Sequence, residues 1–301
     1  MVTSTTATRV VIANSKRHTA FAASILFSSL AFYKPLNALM RYSLRNDSSS
    51  HIILIPFIAL FLIYMERQRI FSITRISLGP GLGLALVGIV LFSLVNRSSL
   101  PRDGNWQLSL QTLAVLLVWA GGFLLCYGVV TFRAAAFPIL FLLLMVPLPD
   151  IILDRAIYAL QVGSTEISYL IFQLVGTPVS RHGFLLSVPG VTIEVAKECS
   201  SIRSSIALFI TCLLAAHLYL RTAWKKLVFV VLGLLLSVVK NGIRITTLTL
   251  LSVYVDPDFL SGRLHRQGGF VFFLVALLML LPVFWWMEKS DKLRKPRKLD
   301  G

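Results

Sequence analysis

The sequence predicts an all-α polytopic membrane protein with about eight transmembrane helices, an outer-face amphipathic helix and a small β-hairpin-like loop. Of the 301 residues, 56% are hydrophobic, which is more than an ordinary soluble domain contains. The apolar runs reach the roughly 20 residues that a helix needs to cross about 30 Å of hydrocarbon. Basic residues cluster in short segments beside these runs, as is typical of membrane proteins.

Five spans are predicted in the first half of the chain. They cover approximately residues 19–40, 51–65, 79–95, 108–130 and 134–148. Segments with arginine, glycine or proline separate them, as expected where a chain leaves the hydrocarbon. Lys34, near the far end of the first span, is expected to extend its ammonium group toward the headgroups.

A polar amphipathic segment and a hairpin follow the fifth span. Residues 151–175 mix apolar residues with Asp154, Arg155 and Glu166, and this favours an interfacial amphipathic helix over a true span. Residues 179–196 contain short β-like runs around a Pro-Gly turn signal, which predicts a hairpin on the membrane surface. Three further spans are predicted at about 199–220, 223–253 and 268–287.

The distribution of basic residues predicts the orientation of these spans. When loops are assigned alternately to the two sides, Lys and Arg are more numerous on the side that holds both termini. The positive-inside rule therefore places both termini in the cytoplasm. Orientation also accounts for the net charge of +16, and no nucleic-acid partner is predicted because the basic residues form no stripe with interleaved aromatics. Membrane lipids are the expected surroundings.

Cys199 is the candidate nucleophile. It lies in a polar stretch directly before the apolar run of the sixth span. If a helix begins near Cys199, its unpaired N–H groups and its dipole favour the thiolate, and Arg203, one turn on, adds a positive charge. The other two cysteines, Cys126 and Cys212, lie within apolar runs, so no disulfide framework, metal site or cofactor is predicted.

Arg244 and His265 are predicted to lie at the same membrane face as Cys199. The sixth span runs inward from Cys199, the seventh returns with Arg244 about 6 Å below the outer boundary, and His265 falls in the next outer loop. Charges at membrane depth are costly and tend to be functional. The three side chains can supply a nucleophile, an oxyanion stabiliser and a proton carrier for acyl transfer.

Lys240 and Asn241 are possible supporting residues. Lys240 lies one turn from Arg244 on the same helix face, where it either lines the same cavity or is a snorkelling or structurally paired lysine. Asn241 either orients Arg244 or hydrogen bonds to a neighbouring helix.

Taken in order, these motifs resemble those of the exosortases, bacterial members of a family of multi-pass membrane cysteine transpeptidases. The resemblance covers roughly residues 137–287. It rests on Pro-Leu-Pro at 147–149, the hairpin region at 183–195, Cys-Ser-x-Ile-Arg at 199–203, Asn-x-x-Arg at 241–244 and His-x-x-Gly at 265–268. Glu198 and Ser201 stand where the family usually has alanine and glycine.

The resemblance implies a cysteine protease or transpeptidase at the outer face of a bacterial inner membrane. Its substrates would be exported proteins with a C-terminal Pro-Glu-Pro motif, a transmembrane helix and a basic tail, passed to an unknown surface acceptor. Cys199 would form the thioester, and Arg244 and His265 would act as proton donor and transition-state stabiliser, in either assignment. Residues 1–136 would form a scaffold, 137–288 the catalytic core and 289–301 a basic cytoplasmic tail.

Two other classes of function use the same residues differently. In a transporter or a polysaccharide-export component, Lys240, Arg244 and His265 would line a polar pathway, although no pair of Gly/Pro-broken spans marks an inverted repeat. A sugar transferase would more naturally use carboxylates and a metal. Dependence on the Cys199 thiol distinguishes the transpeptidase from both.

Overall fold

The computed structural model describes residues 2–98, 104–196, 202–260 and 263–293, with side chains from residue 15 onward except in 263–268. The structure is 82% helical. Within the described residues, six helices are long and apolar enough to cross a membrane, and the number rises to eight if each of two bent helix pairs is one span. The predicted all-α polytopic membrane fold is confirmed. The chain forms two compact units, Met1–Leu153 and Asp154–Gly301.

Unit 1 contains seven of the described α-helices and the start of an eighth. A 3₁₀ segment, Asp47–Ile53, leads into α3, and another, Leu142–Met145, follows α7. The helices are α1 (Val2–Ala31), α2 (Tyr33–Arg45), α3 (Ile55–Met65), α4 (Arg67–Ile70), α5 (Leu78–Arg97), α6 (Trp106–Ala134) and α7 (Ala136–Phe141). The second, third and fourth predicted spans correspond to Asp47–Met65, α5 and α6.

The first predicted span, 19–40, is wrong as a single straight helix. The chain bends by 80° between α1 and α2, at Phe32. Pro35 explains the break, because its ring would clash with the carbonyl group of Ala31 and it has no N–H to donate to that group. The hydropathy pattern continues through the bend, so it does not reveal the interruption.

The fifth predicted span, 134–148, is also shorter than expected. A separate helical segment covers only Ala136–Met145, and these ten residues are long enough to cross a membrane only together with Asp150–Leu174, from which a bend of 91° separates them. Pro147 and Pro149 separate the two segments, and neither can donate a backbone hydrogen bond to continue a helix. Asn105 holds this linker: its side-chain amide donates to the Leu148 carbonyl group (2.8 Å) and accepts from the Asp150 N–H (3.1 Å).

Helices α5 and α6 pack with their backbones close together. A Cβ atom at Gly88 would lie 2.7 Å from the carbonyl oxygen of Ala114, and one at Gly121 would lie 2.6 Å from the backbone nitrogen of Ala85. Small residues at such contacts are typical of helix pairs in membranes. Helix α6 is interrupted at Gly128, whose φ of +86° lets the carbonyl group of Arg75 approach its backbone.

Unit 2 holds a small sheet and three long helices besides α8 (Asp150–Leu174). The strands β1 (Ser180–His182), β2 (Leu185–Val188) and β3 (Val191–Glu194) form an antiparallel sheet in that order. The predicted hairpin is therefore confirmed, and β1 adds a third strand. Leu186, Val188 and Val195 pack on Phe172 of α8 and on the last three turns of the helix Ala223–Tyr254.

Helices α9 (Ile202–Tyr219), α10 (Ala223–Tyr254) and α11 (Arg263–Leu293) pack together around Leu208, Cys212, Phe229 and Ala276. They correspond to the last three predicted spans. The expectation that His265 lies in a loop is wrong, because α11 begins at Arg263 and the backbone of His265 belongs to its first turn. The hydropathy pattern marks only the apolar part of this helix, which starts several residues before that part.

A buried ion pair joins the start of α10 to the end of α11. The Lys225 ammonium group lies 2.9 Å from the Asp291 carboxylate, and both side chains are almost fully buried. The same carboxylate accepts hydrogen bonds from the backbone N–H groups of Arg221 (2.8 Å) and Thr222 (3.2 Å) and from the Thr222 hydroxyl (2.6 Å). Asp291 therefore ties the end of α11 to the two residues that precede α10.

Gly128→Ala is expected to destabilise the protein by at least about 3 kcal/mol, because a side chain at positive φ is strained and the added Cβ would lie 1.8 Å from the carbonyl oxygen of Arg75. Gly83→Ala is the matched control, since no atom lies within 4 Å of the added Cβ. Thermal unfolding of both variants in detergent measures the difference. Equal midpoints would contradict the proposed close approach.

Asp291→Asn is expected to lower the free energy of unfolding by about 3 kcal/mol, because it leaves the buried Lys225 ammonium without its counter-charge. Glu288→Gln, one turn away, removes an exposed pair with Lys292 and should change stability by less than about 1 kcal/mol. The two variants are compared by the same unfolding assay. An equally large loss of stability in Glu288→Gln would show that the removal of any charge, and not the burial of the ion pair, causes the destabilisation.

Candidate active site

Helix α8 packs against α10 at two glycines. A Cβ atom at Gly242 would lie 2.4 Å from Cγ2 of Ile167, and one at Gly163 would lie 2.6 Å from Cγ1 of Val238. The absence of side chains at both positions brings the two helix backbones together, as in other membrane helix contacts. The Ser168 hydroxyl donates a hydrogen bond to the carbonyl group of Gly242 at 3.2 Å.

One face of α8, with uncharged polar residues, is turned toward the protein interior. Its buried residues are Gln161, Ser164, Thr165 and Ser168. The exposed side carries apolar residues such as Tyr158 together with the charged residues Asp154, Arg155 and Glu166. The buried polar residues are therefore available for contacts with other helices, and the interfacial position of α8 stays a prediction.

Asn241 connects this polar face to α10. Its side-chain amide donates a hydrogen bond to the Ser164 hydroxyl at 2.9 Å, and both residues are fully buried. Of the two sequence-based alternatives for Asn241, the structure shows the bond to a neighbouring helix. The stripe Gln161, Ser164, Thr165 and Ser168 has the i, i+3, i+4, i+7 spacing of a helix contact, which is the signal that sequence reasoning missed.

Lys240 connects α10 to the first turn of α9. Its side chain is 1% exposed, and its ammonium group donates a hydrogen bond to the hydroxyl of Ser204. This is the structurally paired arrangement that was one of the sequence-based alternatives. Arg203, the neighbour of Ser204, lies on the exposed side of the same turn.

The contacts between α9 and α10 define their register. The backbone of Gly233 lies against the Cys212 side chain, and seven residues later Lys240 reaches Ser204. The two helices are therefore antiparallel, and each residue further along α10 lies beside a residue about one position earlier on α9. Arg244 lies four residues, or about 6 Å, beyond Lys240 in the direction of the start of α9. Its side chain is half-buried.

Cys199 lies outside the described residues, and so does the side chain of His265. The two ends of the segment that contains Cys199 are described. Val195 is held by α8, since the Gln161 side-chain amide donates to its carbonyl group, and Ile202 begins α9. Three peptide units separate Cys199 from Ile202, which limits the distance between their Cα atoms to roughly 11 Å.

The described part of the site is therefore a polar contact among three helices. Lys240 and Asn241, next to each other on α10, reach Ser204 of α9 and Ser164 of α8, respectively. Arg244 lies one turn beyond Lys240 on α10, on the side of unit 2 where α9 and α11 begin. Such an arrangement can hold a cation in a fixed position near a reacting group without the reorganisation that water would require.

Comparison with known proteins gives one family. A family model described as transmembrane exosortase matches residues 43–282, well over half of the chain. No curated protein and no solved structure matches the chain. The matched region includes α3–α10, most of α11 and positions 199, 244 and 265. Together with the polytopic helical fold, this match shows that the chain belongs to the transmembrane exosortase family.

Proposed function

We propose that this chain is a membrane-embedded cysteine transpeptidase that cleaves the C-terminal sorting signals of exported proteins. Family membership points to a membrane transpeptidase for such signals. The observation that carries the proposal to individual residues is the register of α9 and α10, from which Arg244 is expected beside the segment that contains Cys199. A fixed cation next to a candidate nucleophile is the arrangement that acyl transfer needs.

In the proposed reaction, the Cys199 thiolate attacks the carbonyl carbon of the scissile peptide bond and forms a tetrahedral intermediate. The intermediate collapses to a thioester as the C–N bond breaks, and the leaving amine takes a proton from a general acid. A nucleophile of the acceptor then attacks the thioester, loses its proton and releases the thiol. The acyl group passes from peptide nitrogen to acceptor without any redox step.

Arg244 is proposed to stabilise the oxyanion and His265 to protonate the leaving amine. Arginine stays protonated and presents a planar set of donors, which suits the developing negative charge. An imidazole, with an unperturbed pKa of about 6.5, suits proton delivery near neutral pH. The opposite assignment is the alternative, and the variants below distinguish the two.

The polar contacts of α10 support this role for Arg244. Lys240 and Asn241 are bonded to two different helices, so this segment of α10 cannot rotate without breaking buried hydrogen bonds. We infer that both residues position Arg244, and that Arg203 and the Lys240 charge favour the thiolate of the nearby cysteine. In these roles the residues act on Arg244 and on the thiol and do not contact the substrate.

The proposed substrates are exported proteins that end in a Pro-Glu-Pro motif, a transmembrane helix and a basic tail. Both termini of the enzyme would face the cytoplasm of a bacterial cell, and residues 289–301 would form a basic tail there. Residues 137–288 would carry the catalysis at the outer face of the inner membrane, and residues 1–136 would form the scaffold. The acceptor would be a molecule of the cell surface.

The transporter alternative requires Lys240, Arg244 and His265 to line a polar path. The burial of Lys240 disfavours it, since a side chain that is 1% exposed and bonded to Ser204 does not face an open path. The transporter also has no use for a thiol.

Cys199→Ala is expected to abolish trimming of a co-expressed reporter that ends in Pro-Glu-Pro, a transmembrane helix and a basic tail, because no thioester can form. The double variant Cys126→Ala/Cys212→Ala is the control, and it leaves Cys199 as the single thiol of a chain with three cysteines. The control should trim the reporter and accumulate a hydroxylamine-labile adduct. Equal trimming with and without Cys199 would refute the proposed mechanism.

Arg244→Gln is expected to slow trimming by on the order of 10²-fold or more, since it removes a charged donor from the oxyanion. Arg244→Lys should retain part of the rate, because it keeps the charge but loses the planar fork. Lys226→Gln, at the other end of α10, is the control and should stay within about twofold of wild type.

The roles of Arg244 and His265 are distinguished with a peptide ester as substrate, because its alcohol leaving group needs little protonation. His265→Gln should lose amide cleavage but keep most ester cleavage, whereas Arg244→Gln should lose both. The reverse pattern would exchange the roles of Arg244 and His265.

A further inference from the structure

Unit 1 contains a groove that the proposed reaction does not use. It has a volume of about 590 Å³ and lies between α1, α3, α4 and α6. We call it the basic groove, defined by Phe71, Phe123 and Tyr127 at its floor, Leu60 and Tyr64 at its open side, and Arg67 at its mouth. None of the residues assigned to the proposed reaction belongs to unit 1.

The floor of the groove is a rigid aromatic cluster. The ring centroids of Phe123 and Tyr127 are 4.8 Å apart, and those of Phe71 and Tyr127 are 4.9 Å apart. Phe123 and Tyr127 are 3% and 2% exposed. A floor of this kind offers apolar surface at little entropic cost, because the rings are already held in place.

The open side of the groove faces outward from a membrane span. Leu60 and Tyr64 belong to the candidate span Asp47–Met65, and they are 65% and 61% exposed. In a membrane, this surface meets lipid chains. A hydrocarbon chain can therefore enter the groove from the bilayer without passing through water.

The mouth of the groove is polar and positively charged. Arg67 lies over the ring of Tyr64, 4.1 Å from its centroid, and begins α4 directly after the span ends. His18 approaches the Tyr127 hydroxyl through Nδ1 at 2.8 Å. His18 and Gln68, which follows Arg67, also line the groove. The nearest carboxylate along the chain, Glu66, is paired with Arg69.

We propose that the basic groove binds an anionic phospholipid. The acyl chain would lie on the aromatic floor, and the phosphate would accept hydrogen bonds at the mouth from Arg67 and from the side-chain amide of Gln68. An amphipathic site with an apolar interior, an opening toward lipid and cations at the end of a span matches the two parts of such a molecule. A peptide with a basic tail is a poor occupant, since the mouth would repel it.

Native mass spectrometry of the full chain in detergent tests the proposal. The protein is titrated with phosphatidylglycerol and with phosphatidylcholine of the same acyl chains, and the bound lipid is counted. Wild type should prefer phosphatidylglycerol, and Arg67→Gln should reduce its occupancy on the order of tenfold. The matched control is Arg45→Gln, an exposed arginine at the end of α2 that does not line the groove.

A second variant tests the apolar part without removing any charge. Leu60→Trp adds bulk at an exposed position of the open side, so the fold should tolerate it while the acyl chain is displaced. Soluble glycerophosphoglycerol, which has the headgroup but no chains, should not compete with the lipid. Equal binding of the two lipids, equal losses in the two arginine variants, or full competition by the soluble headgroup would each overturn the proposal.

Discussion

Helix α10 packs against α8 and α9 through contacts that do not permit sliding. The bare backbone of Gly242 fits against Ile167, and the neighbouring Lys240 and Asn241 are bonded to Ser204 and Ser164. A shift of one residue would place a side chain where only a glycine fits and would leave buried polar groups without partners, which costs more in hydrocarbon than in water. The register of α10 against α8 and α9 determines where Arg244 lies relative to the start of α9.

The helices of unit 2 contain many polar residues because these residues connect the helices to one another. The ion pair between Lys225 and Asp291 joins α10 to α11 at one end, and the small hydroxyl and amide side chains join α10 to α8 nearer the other. Lipid provides no hydrophobic force between helices, so specific hydrogen bonds and close packing must supply the orientation. The same contacts that stabilise the bundle therefore hold the candidate site.

Much of the fold could be predicted because the bilayer imposes a length and a polarity on each span. The spans around α5, α6 and α9–α11 follow from apolar runs of about 20 residues, and the hairpin follows from its Pro-Gly turn. The bend at Phe32 and the short helix α7 could not be predicted in this way. Both depend on proline, which breaks hydrogen bonds without lowering the hydropathy of the run.

The sequence by itself determined the class of protein and the chemistry available to it. It predicts a polytopic helical protein with one cysteine outside the apolar runs, an arginine about one turn inside a span and a histidine shortly before the last span. Only the tertiary structure decided that the uncharged polar residues Gln161, Ser164, Thr165 and Ser168 of α8 are buried, that Lys240 is paired with Ser204, and that Asp291 binds the N–H group of Thr222, 69 residues away. The physical reason is that composition records how polar a helix is, whereas the partner that satisfies each polar group depends on packing between distant segments.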